Sequence, residues 1–446
     1  MGKMPFLIHP GAALASLITK DREQGMGYED IFTKCGTDGG YFGEFRAKGD
    51  RYFTMPVMES KPGKIMRFAG KDCIMWSINN YLGLAESDEV KRVAVKAVEE
   101  WGVSSPMGSR MMSGNTAEHI RLENRLASFA HKESSLLFNY GYLGVIGSIS
   151  ALVENDDIIV MDKLCHASIV DAALGAVQDR KNIRVFQHNN MDSLEKTLRQ
   201  VNEVRKKGVL LLTEGVYGMT GDAARLDSIC ELKDKYEARL FIDDAHGFGV
   251  MGKTGGGTGE HMGVQDKIDI YFGTFAKAFA SIGGFSAARR DVVEWIRYNA
   301  RTQIFAKSLP MVYVKSLQET LELVRNGDAR RARLFHVSRK LADGLRQLGF
   351  HIRKVESPIV PVFVPGGDPV VAMEWISYLR EKGVFVTGVA YPVIPKKYIV
   401  FRMVPTASHN DTDIETTVEA FRNLRDDRKL NLDIDWSAVE RLYGGD

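Results

Sequence analysis

The sequence predicts an α/β protein: a doubly wound, mostly parallel sheet forms the large domain, and a smaller α+β domain follows at the C-terminus. Two observations carry this. Between Cys73 and about residue 290, short apolar runs recur at strand length: Asp157-Ile158-Ile159-Val160-Met161, Val209-Leu210-Leu211-Leu212, Arg239-Leu240-Phe241-Ile242 and Ile268-Asp269-Ile270-Tyr271-Phe272. Helix-like segments such as Asp192 to Lys206 and Leu226 to Tyr236 lie between them, so the repeat is strand, helix, strand, with helices on both faces. Catalytic residues are then expected at the carboxyl ends of strands.

In chain order, residues 1–72 mix glycine, charge and aromatics, as in Gly39-Gly40-Tyr41-Phe42-Gly43-Glu44-Phe45, with no sustained period. They are expected to form an arm ahead of the large domain, 73–310. Residues 291–350 read as long charged helices. The C-terminal domain, 311–446, contains a strand at Ile359 to Val364, a helix at Val370 to Lys382, and a further helix at Ile414 to Leu424 before a charged tail.

The composition narrows the function classes. With 446 residues, 44% hydrophobic and 26% charged, the chain has material for one large and one smaller globular unit. Lys and Arg total 59 against 57 Asp and Glu, so the net charge of +2 supplies no field for dedicated nucleic-acid binding. Cys35, Cys73, Cys165 and Cys230 form no CxxC pair, which argues against a disulfide framework or a zinc site and fits a reducing cytoplasm. No apolar run approaches the ~20 residues of a membrane helix. Nor does the N-terminus carry the basic and apolar regions of a secretory signal, so a cytoplasmic protein without a transmembrane segment is expected.

One motif misleads. Gly247-Phe248-Gly249-Val250-Met251-Gly252-Lys253-Thr254 matches G-x-x-x-x-G-K-T after an expected strand, but a phosphate loop needs a helix to begin at its lysine. Gly255-Gly256-Gly257 follows instead, and each glycine costs about 1 kcal/mol in a helix. A flexible glycine loop is expected there.

The chemistry sits on either side of that loop. Asp243-Asp244-Ala245-His246 ends one expected strand, and Gly273-Thr274-Phe275-Ala276-Lys277 ends the next. An acid and a lysine at neighbouring strand ends, with a hydroxyl shortly before the lysine, suit pyridoxal 5′-phosphate. The lysine forms the Schiff base, the acid keeps the pyridine nitrogen protonated, and the hydroxyl meets the phosphate.

The set of motifs resembles the α-oxoamine synthases of the fold-type I pyridoxal phosphate enzymes, which include serine palmitoyltransferase, 2-amino-3-ketobutyrate ligase and 8-amino-7-oxononanoate synthase. It comprises Asn79-Asn80-Tyr81-Leu82-Gly83-Leu84, Gly108-Ser109-Arg110 with Gly114 and His119, Cys165-His166-Ala167-Ser168, Glu214-Gly215-Val216-Tyr217, the Asp243 and Lys277 segments, and Arg402 with His409. The resemblance covers residues 74 to 425 and implies roles residue by residue. Lys277 would hold the cofactor and move the α-proton, Asp243 would pair with the pyridine nitrogen, His166 would stack on the ring and His246 would bond the ring oxygen. The Gly141 and Tyr142 amides and the Thr274 hydroxyl would bind the phosphate. Arg402, with Asn80 and Arg110, would bind the substrate. Two departures from the family stand out: Ala306-Lys307 replaces a Ser-Thr pair that reaches the partner subunit's cofactor phosphate, and Gly218 replaces a common serine, removing a polar contact.

The resemblance further implies a homodimer with shared active sites that condenses an amino acid with an acyl thioester and releases CO2. The similarity is nearest to long-chain-base synthesis, so the expected substrates are a long-chain acyl thioester and a small polar L-amino acid, serine or its sulfonate analogue cysteate. Arg289, Arg290, Arg297, Arg301 and Lys307 form a basic stretch that would receive the phosphates of coenzyme A or an acyl carrier protein. An aminotransferase on the same fold and an inactive partner subunit are the rival readings.

Overall fold

The computed structural model describes residues 30–36, 55–365, 369–389 and 398–442, so the 39–45 stretch of the expected arm lies outside the described residues. The first hairpin, β1 (Ile65–Phe68) and β2 (Lys71–Met75), runs across the 72/73 boundary expected from composition. Next come α1 (Asp88–Trp101) and α2 (Ala117–Phe129), whose first turns are capped by Ser87 and Thr116, each hydroxyl accepting a backbone N–H.

The expected alternation then unfolds as β3 (Ser134–Phe138), α3 (Gly141–Leu152), β4 (Ile158–Asp162), α4 (Ala167–Ala176), β5 (Ile183–Phe186), α5 (Met191–Val204), β6 (Val209–Glu214), α6 (Leu226–Lys235) and β7 (Arg239–Asp243). After the glycine loop come β8 (Ile270–Thr274), β9 (Gly284–Ala288) and α7 (Arg290–Asn299). The seven strands lie in the order β3-β9-β8-β7-β6-β4-β5, and only β9 runs antiparallel to its neighbours.

Successive residues of one strand point to opposite faces, and the two cores show it. Val160, Leu211 and Ile242 pack with Leu194 and Leu198 of α5 and Leu226 and Ile229 of α6. Ile159, Leu212 and Phe241 pack with Val145 and Ile149 of α3, Ile169 of α4 and Ile296 of α7. Because both faces are dry, the strands carry unbroken apolar runs. Truncating a fully buried member such as Leu211 to alanine would cost about 2–5 kcal/mol.

The main elements that follow are α8 (Met311–Arg325), α9 (Asp328–Gln347), β10 (Val360–Pro365), α10 (Pro369–Glu381), β11 (Val384–Phe385), β12 (Thr387–Val389), β13 (Tyr398–Met403) and α11 (Asp411–Asp427), with short helices at Thr258–His261, Arg301–Ile304 and Ser437–Leu442 besides. Helix α8 starts at the expected 310/311 boundary, yet Leu317, Leu321 and Val324 pack it into the large core. The small unit is an antiparallel sheet, β10-β13-β12, whose core is closed by Leu341, Ile376 and Phe421 of α9, α10 and α11. Strand β11 pairs in parallel with β2, so the N-terminal hairpin completes this unit.

Candidate active site

All the parallel strands of the large sheet end on one side, and the chemistry collects there. Asp243 closes β7 in register with Glu214, the last residue of β6. Both are buried carboxylates. One Asp243 oxygen accepts the Ala245 N–H at 3.1 Å. Burial pushes the Asp243 carboxyl up from its ordinary value, while Lys277 and His166 pull it back, so its charge depends on a cation nearby.

Lys277 follows β8 on a tight loop pinned by Phe275 and Phe279, both buried among Phe248 and Phe285. Loss of solvent lowers its ammonium to about 8 against the opposing pull of Asp243 and Glu214. An amine so placed is a ready nucleophile and base near neutral pH.

His166 is the N-cap of α4, its Nδ1 accepting the Ser168 N–H at 3.2 Å and lying 2.8 Å from the Ser168 hydroxyl. Its ring stands edge-on to Tyr142, and desolvation holds it below its usual pKa. His246 is buried with Nδ1 2.7 Å from the Tyr81 hydroxyl. Burial lowers the imidazole well below its usual pKa and lifts the phenol to about 12, so both are neutral. Tyr81 therefore donates to Nδ1, and Nε2 carries the proton.

The pocket's phosphate end is built by backbone. Helix α3 begins at Gly141 with no side-chain cap and no acid in its first turn, which leaves its amides to an anion. A Cβ on Gly141 would fall 2.8 Å from the Thr274 Oγ1, so the glycine keeps this corner open. An uncapped helix start beside a hydroxyl, a buried carboxylate requiring a cation, and a half-buried, desolvated amine together fit pyridoxal phosphate.

Arg402 projects from β13, the middle strand of the small sheet. Its Nε donates to the Gly218 carbonyl and one Nη to Asn79 Oδ1 at 3.2 Å, which holds the guanidinium at the junction of the two units. Asn80 is split: its oxygen accepts the Ala85 N–H in a turn, while its buried Nδ2 has no partner among the described residues.

Other expectations change. Arg110 is not free for substrate: its guanidinium is forked onto buried Glu123 of α2 and also bonds Asn115. Lys307 is exposed, with its amine on the Met107 carbonyl and its backbone bridged to Ser109. Two cations of the basic stretch are paired locally, Arg289 with Asp291 and Arg297 with Glu123 and Glu294, while Arg301 lies over the Phe305 ring. At Gly218 a Cβ would lie 2.2 Å from His246 Nε2, so the glycine makes room for the imidazole rather than merely omitting a contact. The glycine loop after β7 is packed, not flexible: Glu260 accepts from the Thr254 and Gly256 amides and fills the anion site that the motif suggested.

Sequence reasoning missed Tyr81, Asn79 and Glu214 as members of the site. Each lies inside a quoted motif, beside a residue that was assigned.

The sequence model of the class I and II aminotransferases matches residues 71–421. The cysteate-C-fatty acyltransferase of Capnocytophaga ochracea is 44% identical over 402 residues, 89% of this chain and 95% of that one. This chain is an α-oxoamine synthase of the class I and II aminotransferase family. A serine palmitoyltransferase of Bacteriovorax stolpii is 36% identical to this synthase over 83% of the chain and 87% of the relative. The 8-amino-7-oxononanoate synthase of Thermoanaerobacter pseudethanolicus is 35% identical over 86% and 95%. The solved serine palmitoyltransferase of Sphingomonas wittichii superposes with a TM-score of 0.83 at 28% identity, covering 90% of this chain and all of that one. The α-oxoamine synthase fold is therefore shared along with the sequence.

Proposed function

We propose that this synthase uses pyridoxal 5′-phosphate to condense a long-chain acyl thioester with cysteate, or secondarily serine, giving a 3-keto long-chain base. The observation that carries the chemistry is the half-buried, desolvated Lys277 amine close to the buried Asp243 carboxylate at adjoining strand ends. The likeness to the Capnocytophaga acyltransferase, above that to the serine palmitoyltransferase, favours cysteate.

Bound through Lys277, pyridoxal phosphate supplies the electron sink that makes an amino-acid Cα acidic. Asp243 would hold the pyridine end, the α3 amides and Thr274 the phosphate end, and His166 would lie against the ring. His246 offers its Nε2–H beside the cleft. Arg402 receives the substrate carboxylate with its planar fork. Lys277 Nζ, neutral for much of the time near pH 8, takes the α-proton. In the overall reaction Cα bonds to the acyl carbon, the thiol leaves, and the carboxylate departs as CO2.

Two further features belong to this reading. A homodimer is favoured by exposed apolar residues such as Val103, Met112 and Phe305, the cysteine pattern fits a cytoplasmic location, and either coenzyme A or an acyl carrier protein would carry the acyl group. No helix among the described residues is long and apolar enough to cross a membrane.

Product formation from cysteate, serine, alanine and glycine against palmitoyl, acetyl and pimeloyl thioesters tests the assignment. A palmitoyl and cysteate preference is expected. A preference for pimeloyl or acetyl groups would instead place the enzyme with the shorter-chain synthases, and keto-acid release without free thiol would make it an aminotransferase.

A further inference from the structure

A charged cluster that the chemistry above does not use is buried beside the cleft. His188, on the loop after β5, is 2% exposed. Its Nδ1 lies 2.9 Å from Asp162 Oδ1 and its Nε2 lies 2.8 Å from Asp222 Oδ2. An ionised carboxylate only accepts hydrogen bonds, so a ring bonded to one at each nitrogen carries both protons. The carboxylates are otherwise engaged. Asp162 accepts the Leu164 N–H at 2.8 Å and the Asn189 N–H at 2.9 Å, and Asp222 accepts from the Thr220 hydroxyl.

The two acids belong to the loops that carry the cleft's side chains. Asp162 is the last residue of β4, and its bond to Leu164 shapes the turn that leads into His166. Asp222 closes the loop after β6: its carbonyl accepts the Tyr217 N–H at 3.0 Å, and Gly221 N–H reaches the Tyr217 carbonyl at 2.8 Å. Within that loop Gly218 supplies the carbonyl that holds Arg402. The Tyr217 ring stands edge-on to His188 at 4.4 Å and walls the cluster off.

We propose that His188 is a positioning residue: its imidazolium ties the β4–α4 loop to the β6–α6 loop and so sets where His166 and Arg402 stand relative to each other. The inference rests on the roles given to those two residues above. Burial by itself would lower the His188 pKa, and the two carboxylates overturn that and hold it near 10. The other titratable groups nearby are Tyr217 and Cys165, both pushed well up by burial and thus neutral, Glu214, and Arg353, which favours the charged form of Asp222.

Nitrogen-15 NMR of histidine-labelled holoenzyme reads the ring directly. One histidine should keep both ring nitrogens protonated at pH 8 and be absent in His188→Gln; a neutral ring at that pH overturns the proposal. The second measurement is amino-acid Kd, from the visible spectrum of the holoenzyme, in a double-mutant cycle. His188→Gln should weaken amino-acid binding about tenfold, and this effect should shrink to under about threefold in an Arg402→Ala background, since the residues are coupled. Unchanged Kd in folded His188→Gln, or effects that simply multiply, would also overturn it. If His188→Gln does not fold, Asp222→Asn, which breaks the same tie from the β6–α6 loop, replaces it in both measurements, and an unchanged ring signal and Kd there would overturn the proposal. None of these readouts needs an acyl donor, so failure to make a keto base would count against the substrate assignment alone.

Discussion

At the residue scale, Lys277 is defined by competition. Solvent loss lowers its amine while Asp243 and Glu214 raise it, and the balance falls near 8. Cofactor capture requires the neutral amine, so the rate at which protein stripped of cofactor regains visible absorbance should rise with pH through about 8. A rate still climbing above pH 10 would contradict this balance. Lys277→Ala should stay folded, lose the lysine-linked absorbance and lose turnover. A yellow, active Lys277→Ala would remove the lysine from the mechanism. Asp243, Thr274 and Lys277 were legible as candidates because strand ends are marked by where apolar runs stop, whereas His166 and His246 became candidates only through the likeness of their motifs to the family's. Tyr81, Asn79 and His188 were not assigned because their roles come from partners far along the chain. Arg110 was misassigned for the same reason, since nothing local announces Glu123 as its partner.

At the element scale, loops and helix ends do the positioning, and their tolerances are set by close approach. Gly141→Ala would place a methyl 2.8 Å from Thr274 Oγ1 at the start of α3, so it should weaken pyridoxal phosphate binding in equilibrium dialysis while sparing thermal stability. The Arg110–Glu123 pair fastens α2 to the segment before it. Both side chains are about 5% exposed. Arg110→Met would leave Glu123 with the Leu137 N–H at 2.9 Å and, as its nearest cation, Arg297 at 3.4 Å, and should cost about 3–5 kcal/mol by denaturant unfolding. A loss under about 1 kcal/mol would mean the pair contributes only as a surface pair does. The His188 clamp has the opposite pH signature to a salt-bridged carboxylate. Its folded pKa, near 10, is raised above the ordinary 6.5, so its stabilisation is complete below about 6.5 and fades as pH rises through 10. The strand and helix order was readable because both faces of the sheet are dry. The pairing of β2 with β11 was not, since two-residue strands leave no periodic signal.

At the scale of the whole molecule, the distribution of apolar surface bears on assembly. Val103 is 76% exposed, Met112 82% and Phe305 76%, and all lie in the segments between α1 and α2 or just before α8. Lone exposed apolar residues are ordinary, but this group adjoins the Ser109–Lys307 bridge and the open start of α3. Covering these residues with a second copy would bury the group and bring another chain to the rim of the phosphate corner. The expected assembly is a dimer burying more than about 2,000 Å² in total, stable at micromolar concentration in sedimentation. Phe305→Asp should shift it toward monomer by placing a carboxylate in that contact. Sharing is a stronger claim, and complementation tests it. A protomer carrying Lys277→Ala is inactive in its own site but supplies an intact Lys307, and one carrying Lys307→Glu supplies an intact Lys277. If Lys307 serves the neighbouring site, refolding the two together should restore part of the activity that neither parent dimer shows. Mixed dimers that form, as shown by differential tags, yet stay as inactive as their parents would confine each site to a single chain.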